Sequence, residues 1–516
     1  MILNFYSNGD EFCVDTFNTP FYFDITSKSN ISVSNSKSEI IVDRNKITLR
    51  RDWPGYTCIY YYISEERIII SDDIKHIPTE FVNLSVERVG NFLKDRKHYT
   101  DKTIYENINE LPPGFEITID LDNPLDYEVK SHFVPIARTS KKSYSEIKVE
   151  YMDILSEVLL KSASLDDDIV LAFSGGSDSL LILQELKKLG YKNVELVTFC
   201  VEGDVVQKEY ANKSASYFGA NVTAIEIDPK EAIHCWEDYI KGVYQCMSEL
   251  RLDGMPIYLL KFYEYVDSRY DNAKIIWGSQ YSIISPSIST KGLGLFNVLT
   301  LFTKYIPIMP TSMLEKILER YLIYKADHCS DKVRTEYVNR FRKALDTGEP
   351  SQIANLALCD NYNSLKRWWM HHRDQTISFN EYNSKNIYPF HERDFQERMM
   401  NYSLKERVGG WKNLLKLPGQ YKKLFYDLLR KDIPKSSYSK GNYKTLDEFF
   451  TLFKNESTYH YFKDQFSRDE VKSIASQVGL VLPDTYEGYL QLNTLEVEKF
   501  TGLIFCVNNR DYHEVR

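Results

Sequence analysis

Residues 171–181, LAFSGGSDSLL, combine the residue types of this chain that are best suited to bind a phosphate group. An apolar strand is predicted to end at Phe173, and Gly175 and Gly176 permit a tight turn with close approach of the backbone to a ligand. We predict that a helix begins at about Ser177, so its first backbone N–H groups point into the turn. An anionic phosphate can bind where those groups converge.

The same turn carries three hydroxyl groups and one acid. Ser174, Ser177 and Ser179 offer hydrogen-bond donors to a phosphate. Asp178 would repel that phosphate unless a magnesium ion lies between them, since Mg²⁺ is commonly held by a carboxylate together with substrate phosphates. The acid therefore predicts a metal-bridged polyphosphate, with Asp178 as metal ligand. The G-K-[ST] ending of a Walker loop is missing from this turn.

The segments around this turn are predicted to form an α/β unit with a parallel sheet. Apolar periodicity gives the order strand, helix, strand, helix, strand over residues 169–173, 179–189, 194–199, 207–218 and 221–227. Alternation of this kind implies right-handed βαβ connections. The turn would then lie where the first strand of the sheet passes into its helix.

The chain divides into three predicted regions. Short apolar runs separated by Asn, Ser and Gly clusters predict a β domain over residues 1–135. Helical spacing begins at Tyr144, so the second domain is placed at residues 145–445, mostly helical after Thr311. Residues 446–516 are predicted to be a helical C-terminal extension without a recognisable motif.

Composition narrows the class of protein further. A 516-residue chain with 43% hydrophobic residues is typical of globular proteins, and its net charge of -9 argues against nucleic-acid binding through broad electrostatic attraction. The eight cysteines form no C-x-x-C pair, which favours a reducing compartment. We find no secretory signal and no apolar run of the roughly 20 residues that span a bilayer. The expectation is a cytoplasmic protein without a membrane partner.

The sequence S-G-G-x-D-S, after a strand and at the start of a helix, resembles the PP-loop of N-type ATP pyrophosphatases. Those enzymes split ATP between its α- and β-phosphates, so the resemblance implies ATP and Mg²⁺ as cofactors. Several families share the loop. Its flanks resemble the asparagine-synthetase family over about residues 40–445, including Leu49–Asp72, Tyr99–Asp120 and the stretch that ends with Tyr388, Pro389 and Phe390.

The resemblance implies a particular fold. It is a PP-loop, adenine nucleotide α-hydrolase-like parallel sheet with a helical C-terminal part, preceded by a small β-rich domain similar to an Ntn amidotransferase. Asparagine synthetase takes ammonia from glutamine with a cysteine exposed by removal of the first methionine, but position 2 here is Ile2. Cys13 lies inside the chain and lacks the α-amino group that acts as base. The β domain is also short, about the second half of a glutaminase domain, so it is expected to be truncated as well as inactive as a glutaminase.

The resemblance also implies where the nucleotide binds. Adenine recognition in this family is mainly by backbone contacts at the ends of the first two strands, here Ala172, Phe173, Thr198 and Phe199. The third strand of the family is followed by G-x-G-x-D-E, whose Asp is a second metal ligand. This chain retains Gly278 but has Ser282 in place of that acid. Asp253 is an alternative ligand or a helix-capping residue.

Three further residues are implied as catalytic. Lys440 lies where the family keeps a lysine that contacts pyrophosphate, with a solvated loop charge as the alternative. Tyr281 lies near the position of a tyrosine that deprotonates the amine in the β-lactam branch. Its partner would be Glu381 or Glu392, and the alternative for Tyr281 is a packing role.

Relatives without the cysteine include β-lactam and carbapenam synthetases and lasso-peptide macrolactam synthetases. The implied activity is an ATP-dependent, AMP-forming carbon–nitrogen ligase that adenylates a carboxylate for attack by an amine of the same substrate. The implied partners are a small molecule or peptide carrying both groups, with a precursor peptide and a maturation protease. Two alternatives stay open: an asparagine synthetase that uses free ammonia, and a catalytically impaired nucleotide-binding partner protein.

Overall fold

The fold is described from a computed structural model of the full chain. Described residues are 2–7, 12–17, 30–32, 39–43, 46–51, 53, 59–65, 67–71, 77–95, 101–132, 142–201, 205–227, 255–278, 312, 329–346, 385–402, 404–407, 409–410, 423–434, 454–493, 496–497, 499–500, 502–504 and 507. Within these ranges, no helix combines the length and apolar character needed to cross a membrane.

The centre of the chain is a mixed α/β unit built on a five-stranded parallel sheet, as the alternating pattern predicted. Its strands are β11 (Asp168–Ala172), β12 (Asn193–Val201), β13 (Val222–Ile227), β14 (Lys274–Trp277) and β15 (Lys385–Ile387). Their spatial order is β13-β12-β11-β14-β15. The order therefore reverses at β11, and parallel sheets of this kind bind ligands beyond the carboxyl ends of the strands at such a reversal.

Helices cover both faces of this sheet. The chain runs through α2 (Tyr144–Ser162), α3 (Ser177–Leu189), α4 (Val205–Ser216) and α5 (Met255–Asp267). Helices α2, α3 and α4 share one buried cluster with Leu171 and Leu196, whereas α5 packs with Val170 and Val197 on the opposite face. Successive side chains of a strand point to opposite faces of the sheet, so both faces of an unbroken apolar strand are buried.

The sequence located these elements to within a few residues. The first strand was expected at 169–173 and ends one residue earlier, at Ala172. The second strand was expected at 194–199 and extends to Val201. The first helix was expected over 179–189 from apolar periodicity and to begin at about Ser177 from the turn motif, and α3 begins at Ser177.

The N-terminal region contains two five-stranded antiparallel sheets. One has the order β2-β1-β7-β6-β8, and the other has the order β10-β9-β5-β4-β3. The ten strands are β1 (Ile2–Ser7), β2 (Phe12–Phe17), β3 (Asn30–Ser32), β4 (Glu39–Asp43), β5 (Lys46–Arg50), β6 (Tyr60–Ile63), β7 (Arg67–Ser71), β8 (Asn109–Glu110), β9 (Phe115–Asp120) and β10 (Glu128–Ser131).

The end of the chain packs against this N-terminal region. Helix α1 (Val86–Asp95) and the C-terminal helices at Glu456–Gln465, Asp469–Gln477 and Tyr486–Leu490 share one buried cluster with strands β6 and β7. Phe462 and Phe500 are fully or almost fully buried in it. The C-terminal helices thus cover an apolar surface formed by the first part of the chain.

A helix from the second half of the chain also contacts the N-terminal region. Helix Asp331–Asp346 lies against β10, where the Ser131 backbone N–H donates to Glu336 at 2.9 Å. Arg340 lies over the ring of Phe115 at 5.1 Å. The β-rich region and the later helices are therefore joined by polar and aromatic contacts.

Candidate functional site

The glycine-rich turn follows β11 at the carboxyl edge of the sheet. The Phe173 N–H donates to the Val197 carbonyl at 2.7 Å, which ties the start of the turn to β12. Gly175 then adopts φ +72°, a left-handed conformation that side chains disfavour. Gly176 occupies the N-cap position of α3. The chain therefore reverses sharply between the strand and the helix, as the two glycines predicted.

Close approach of neighbouring atoms requires glycine at two positions, Gly175 and Gly278. A Cβ at Gly175 would lie 3.1 Å from both the Ala211 Cα and the Ser214 Oγ of α4. A Cβ at Gly278, directly after β14, would lie 2.9 Å from the backbone N of Ser179. Neighbouring elements thus hold the turn and the first residues of α3 from both sides, and a side chain at either glycine would displace them.

The start of α3 keeps backbone N–H groups that no side chain caps. Gly176 has no side chain for this purpose, and its own N–H donates to the Ser174 hydroxyl at 3.3 Å. The Ser179 hydroxyl donates to the Gly176 carbonyl at 3.1 Å, so it binds away from the first N–H groups. An uncapped helix N-terminus carries partial positive charge and binds anions readily.

Asp178 lies in the first turn of α3 and is partly exposed. The Ser177 hydroxyl donates to its Oδ1 at 2.8 Å. Within the described residues, no cluster of three or more His, Cys, Asp or Glu side chains could enclose a metal ion. One carboxylate beside an anion-binding turn nevertheless fits Mg²⁺, which binds through one or two carboxylates plus substrate phosphates rather than in an all-protein cage.

Tyr151 of α2 is a residue near this turn that the sequence did not single out. Its side chain is fully buried, and its hydroxyl has no hydrogen-bond partner. Burial raises the pKa of Tyr151 well above its ordinary value, and the negative charge of Asp178 raises it further. A polar atom without a partner is thus buried within electrostatic reach of the predicted metal ligand. Its position on the apolar face of α2 made it look like a core residue.

The predicted adenine-binding residues lie at the ends of adjacent strands. Ala172 pairs with Val197 on one side and with Trp277 on the other. Thr198 is almost fully buried. Phe199 is partly buried and packs against two clusters, one with α5 and one with the C-terminal helices. The carboxyl ends of β11 and β12 are therefore neighbours, as an adenine pocket formed by both would require.

A polar contact beside Gly278 was also not anticipated. The Trp277 Nε1–H and the Tyr263 hydroxyl both donate to Asn386 Oδ1, each at 2.7 Å. Asn386 lies on β15, so one amide oxygen fixes the position of β14 relative to α5. Gly278 is therefore held where it meets α3. Only the three-dimensional proximity of these side chains reveals the contact.

Several predicted site residues fall outside the described residues: Asp253, Tyr281, Ser282, Glu381 and Lys440. Glu392, the alternative partner of Tyr281, is described. It follows the short 3₁₀ turn Pro389–His391 and immediately precedes the helix Arg393–Met400. Its proposed pairing with Tyr281 stays a prediction.

The N-terminal segment that resembles an amidotransferase contains a buried ion pair. Arg51 Nη1 bonds to Glu110 Oε1, and both side chains are almost completely buried. The same nitrogen donates to the Leu111 carbonyl at 2.6 Å. His132 Nε2 lies 2.7 Å from the Arg51 carbonyl. Arg51 is thus committed to contacts that join β5, β8 and the end of β10.

Comparison with known proteins found no matching family model and no curated relative with significant similarity.

Proposed function

We propose that this protein is an AMP-forming, ATP-dependent carbon–nitrogen ligase with a PP-loop fold. The observation that carries the proposal is the turn at 174–177, with its uncapped helix N-terminus pressed between α4 and Gly278 where the strand order reverses. Positive helix-end charge, backbone access and a neighbouring carboxylate are together suited to a metal-bound triphosphate. A purely structural turn requires none of these three features.

The proposed reaction has two steps. A substrate carboxylate oxygen attacks the α-phosphorus, the bond between the α-phosphorus and its bridging oxygen to the β-phosphate breaks, and diphosphate leaves. An amine nitrogen then attacks the acyl carbon, loses a proton to a base and releases AMP. Magnesium, when bound, supplies positive charge that offsets the developing charge on diphosphate.

The residues of the turn orient the nucleotide for the first step. The first N–H groups of α3 would bind phosphate oxygens, and Asp178 would hold the cation beside them. Ser177 keeps the Asp178 carboxylate in place through the 2.8 Å hydrogen bond. Positioning of this kind lowers the barrier because the reacting atoms no longer need to find each other in solution.

The N-terminal region fits the proposal as a remnant of an Ntn amidotransferase that does not hydrolyse glutamine. Its two antiparallel sheets support this assignment. If this region delivers no ammonia, an amine of the substrate itself can serve as the nucleophile. We therefore favour ring closure on a peptide or amino-acid derivative in the cytoplasm, with a precursor peptide and a protease as partners in the peptide case.

Calorimetric titration with ATP tests the proposed site. We expect the wild-type chain to bind ATP with Mg²⁺, and Asp178→Asn to weaken this binding about tenfold or more, because a carboxylate ligand is lost. Asp166→Asn is the matched control, since Asp166 is exposed and precedes the amino end of β11. Absence of ATP binding by the wild type would refute the proposal.

Product analysis separates the reaction classes. Radiolabelled ATP incubated with candidate carboxylate–amine substrates should yield AMP and diphosphate, whereas ADP would indicate a different phosphoryl transfer. AMP formation with aspartate and ammonium alone would favour the asparagine-synthetase alternative. Binding of ATP without any product across the panel would favour a nucleotide-binding partner protein, an alternative that Ser282 in place of the family acid supports.

A further inference from the structure

The Tyr151 hydroxyl has no hydrogen-bond partner, although the ring that carries it is tightly packed. Its ring meets Phe395 at 5.0 Å and Phe425 at 5.4 Å, both edge-on, and Phe390 lies at 6.3 Å. The side chain cannot swing out to solvent without breaking these contacts. A phenylalanine would fill the same space without a buried polar atom, which is costly when it makes no hydrogen bond.

The packing of α2 on α3 brings Tyr151 close to the first turns of α3. Helix α2 packs directly on α3, and Tyr151 belongs to the same buried cluster as Leu180 and Leu181 of the first turns of α3. Asp178 precedes these two leucines. The Ser177 hydroxyl occupies Asp178 Oδ1. A carboxylate has about four acceptor positions on its two oxygens, so it can accept further donors.

We propose that Tyr151 is a positioning residue for Asp178, and that its buried hydroxyl donates a hydrogen bond to the Asp178 carboxylate when magnesium nucleotide occupies the turn. This inference rests on the proposed function. Ser177 and Tyr151 would then hold the carboxylate from two sides and orient it toward the cation. Second contacts of this type orient metal ligands and commonly change metal affinity by about 10–100-fold.

The test is Tyr151→Phe, which removes only the hydroxyl. We expect the affinity for ATP with Mg²⁺ to fall roughly tenfold, and the affinity for ATP in excess EDTA to stay within about twofold. The unfolding midpoint in urea should stay equal or rise, because the buried atom without a partner is gone. In the double variant with Asp178→Asn, the tyrosine change should add no further loss.

Tyr191→Phe is the matched control. Tyr191 lies in the same buried cluster, but its hydroxyl donates to the carbonyls of Leu159 and Ala163 at 2.9 and 3.0 Å, at the far end of α2. This variant should lower the urea midpoint and leave nucleotide affinity unchanged. Loss of Mg²⁺-ATP affinity only in Tyr151→Phe, and loss of stability only in Tyr191→Phe, would distinguish a positioning role from general packing.

Three outcomes would overturn the inference. Unchanged Mg²⁺-ATP affinity in Tyr151→Phe, with loss in Asp178→Asn, refutes the role of Tyr151 and leaves the proposed function standing. Equal weakening with and without Mg²⁺, together with a lower urea midpoint, assigns Tyr151 to packing alone. A wild-type chain that binds no ATP refutes both the inference and the proposed function.

Discussion

Two buried polar groups in this molecule differ in whether the protein provides them with a hydrogen-bond partner. In the N-terminal region, the guanidinium of Arg51 meets the carboxylate of Glu110 and a backbone carbonyl in the same buried place. In the α/β unit, the Tyr151 hydroxyl is equally buried but has no partner. Only at Arg51 does the protein itself supply the hydrogen bond.

Under the proposed function, the difference separates a structural polar contact from a region that binds a ligand. Desolvating a charged or polar group costs free energy, and a contact closed within the protein recovers part of it at once. Under the proposed function, the uncapped N–H groups of α3 and the Tyr151 hydroxyl of α2 recover it only when nucleotide binds.

The largest expected effect is at Arg51. Arg51→Ala leaves the fully buried Glu110 carboxylate without its cation and should lower the free energy of unfolding by about 3–5 kcal/mol. Arg50→Ala is the control, since Arg50 pairs with Glu116 nearer the surface and should cost about 1 kcal/mol or less. Urea unfolding measures both. Equal costs would mean that burial of the Arg51 pair has no energetic consequence.

Gly278→Ala should have the next largest effect. The added Cβ meets the Ser179 backbone at 2.9 Å, and the strain should cost about 1–3 kcal/mol of unfolding free energy. Nucleotide affinity should fall as well, because the start of α3 is displaced. Gly176→Ala is the comparison, since its Cβ meets only the movable Ser174 hydroxyl and should cost about 1 kcal/mol or less. A harmless Gly278→Ala would contradict the observed close packing.

A third polar group, Glu195, extends the comparison of Arg51 with Tyr151, because its contribution to stability should depend on pH. Burial raises the pKa of Glu195, but hydrogen bonds from Tyr270, Thr223 and Tyr265 outweigh it and lower the pKa overall. Its stabilising contribution, about 1 kcal/mol, should be complete above the ordinary glutamate pKa of about 4.3 and decline as pH falls through the lower folded value.

Urea unfolding of the wild type and Glu195→Gln between about pH 3.5 and 7 measures that decline. The difference in unfolding free energy between the two chains should be constant above about pH 5 and shrink below about pH 4. A difference that grows with acidification would reverse the sign of the pKa shift. Glu195 would then resemble the incompletely bonded turn rather than the closed contact at Arg51.

The smallest expected effect is at Thr198. If adenine is bound by backbone groups at the ends of β11 and β12, Thr198→Val should change ATP affinity by no more than about twofold and stability by about 0.5 kcal/mol. Calorimetric titration measures the affinity. A tenfold loss would show that the Thr198 hydroxyl takes part in binding.

The parts of the site that sequence could locate are those encoded by neighbouring residues. Gly175 and Gly176 marked the turn, and the apolar run before Phe173 marked the strand that presents it. Tyr151 and Asn386 gave no such signal. A tyrosine on an apolar helix face and an asparagine in a short strand can have many roles. Only the residues that surround them in the folded protein show which role each one has.

The residue pattern alone determined the order of elements in the parallel sheet and the place of the turn, because periodicity and glycine conformation act over a few positions. The tertiary structure decided that Gly278 presses on Ser179, that Tyr151 lies near Asp178, and that the C-terminal helices cover strands β6 and β7. These contacts join residues far apart in the chain. They arise from packing of complete elements, which no local pattern specifies.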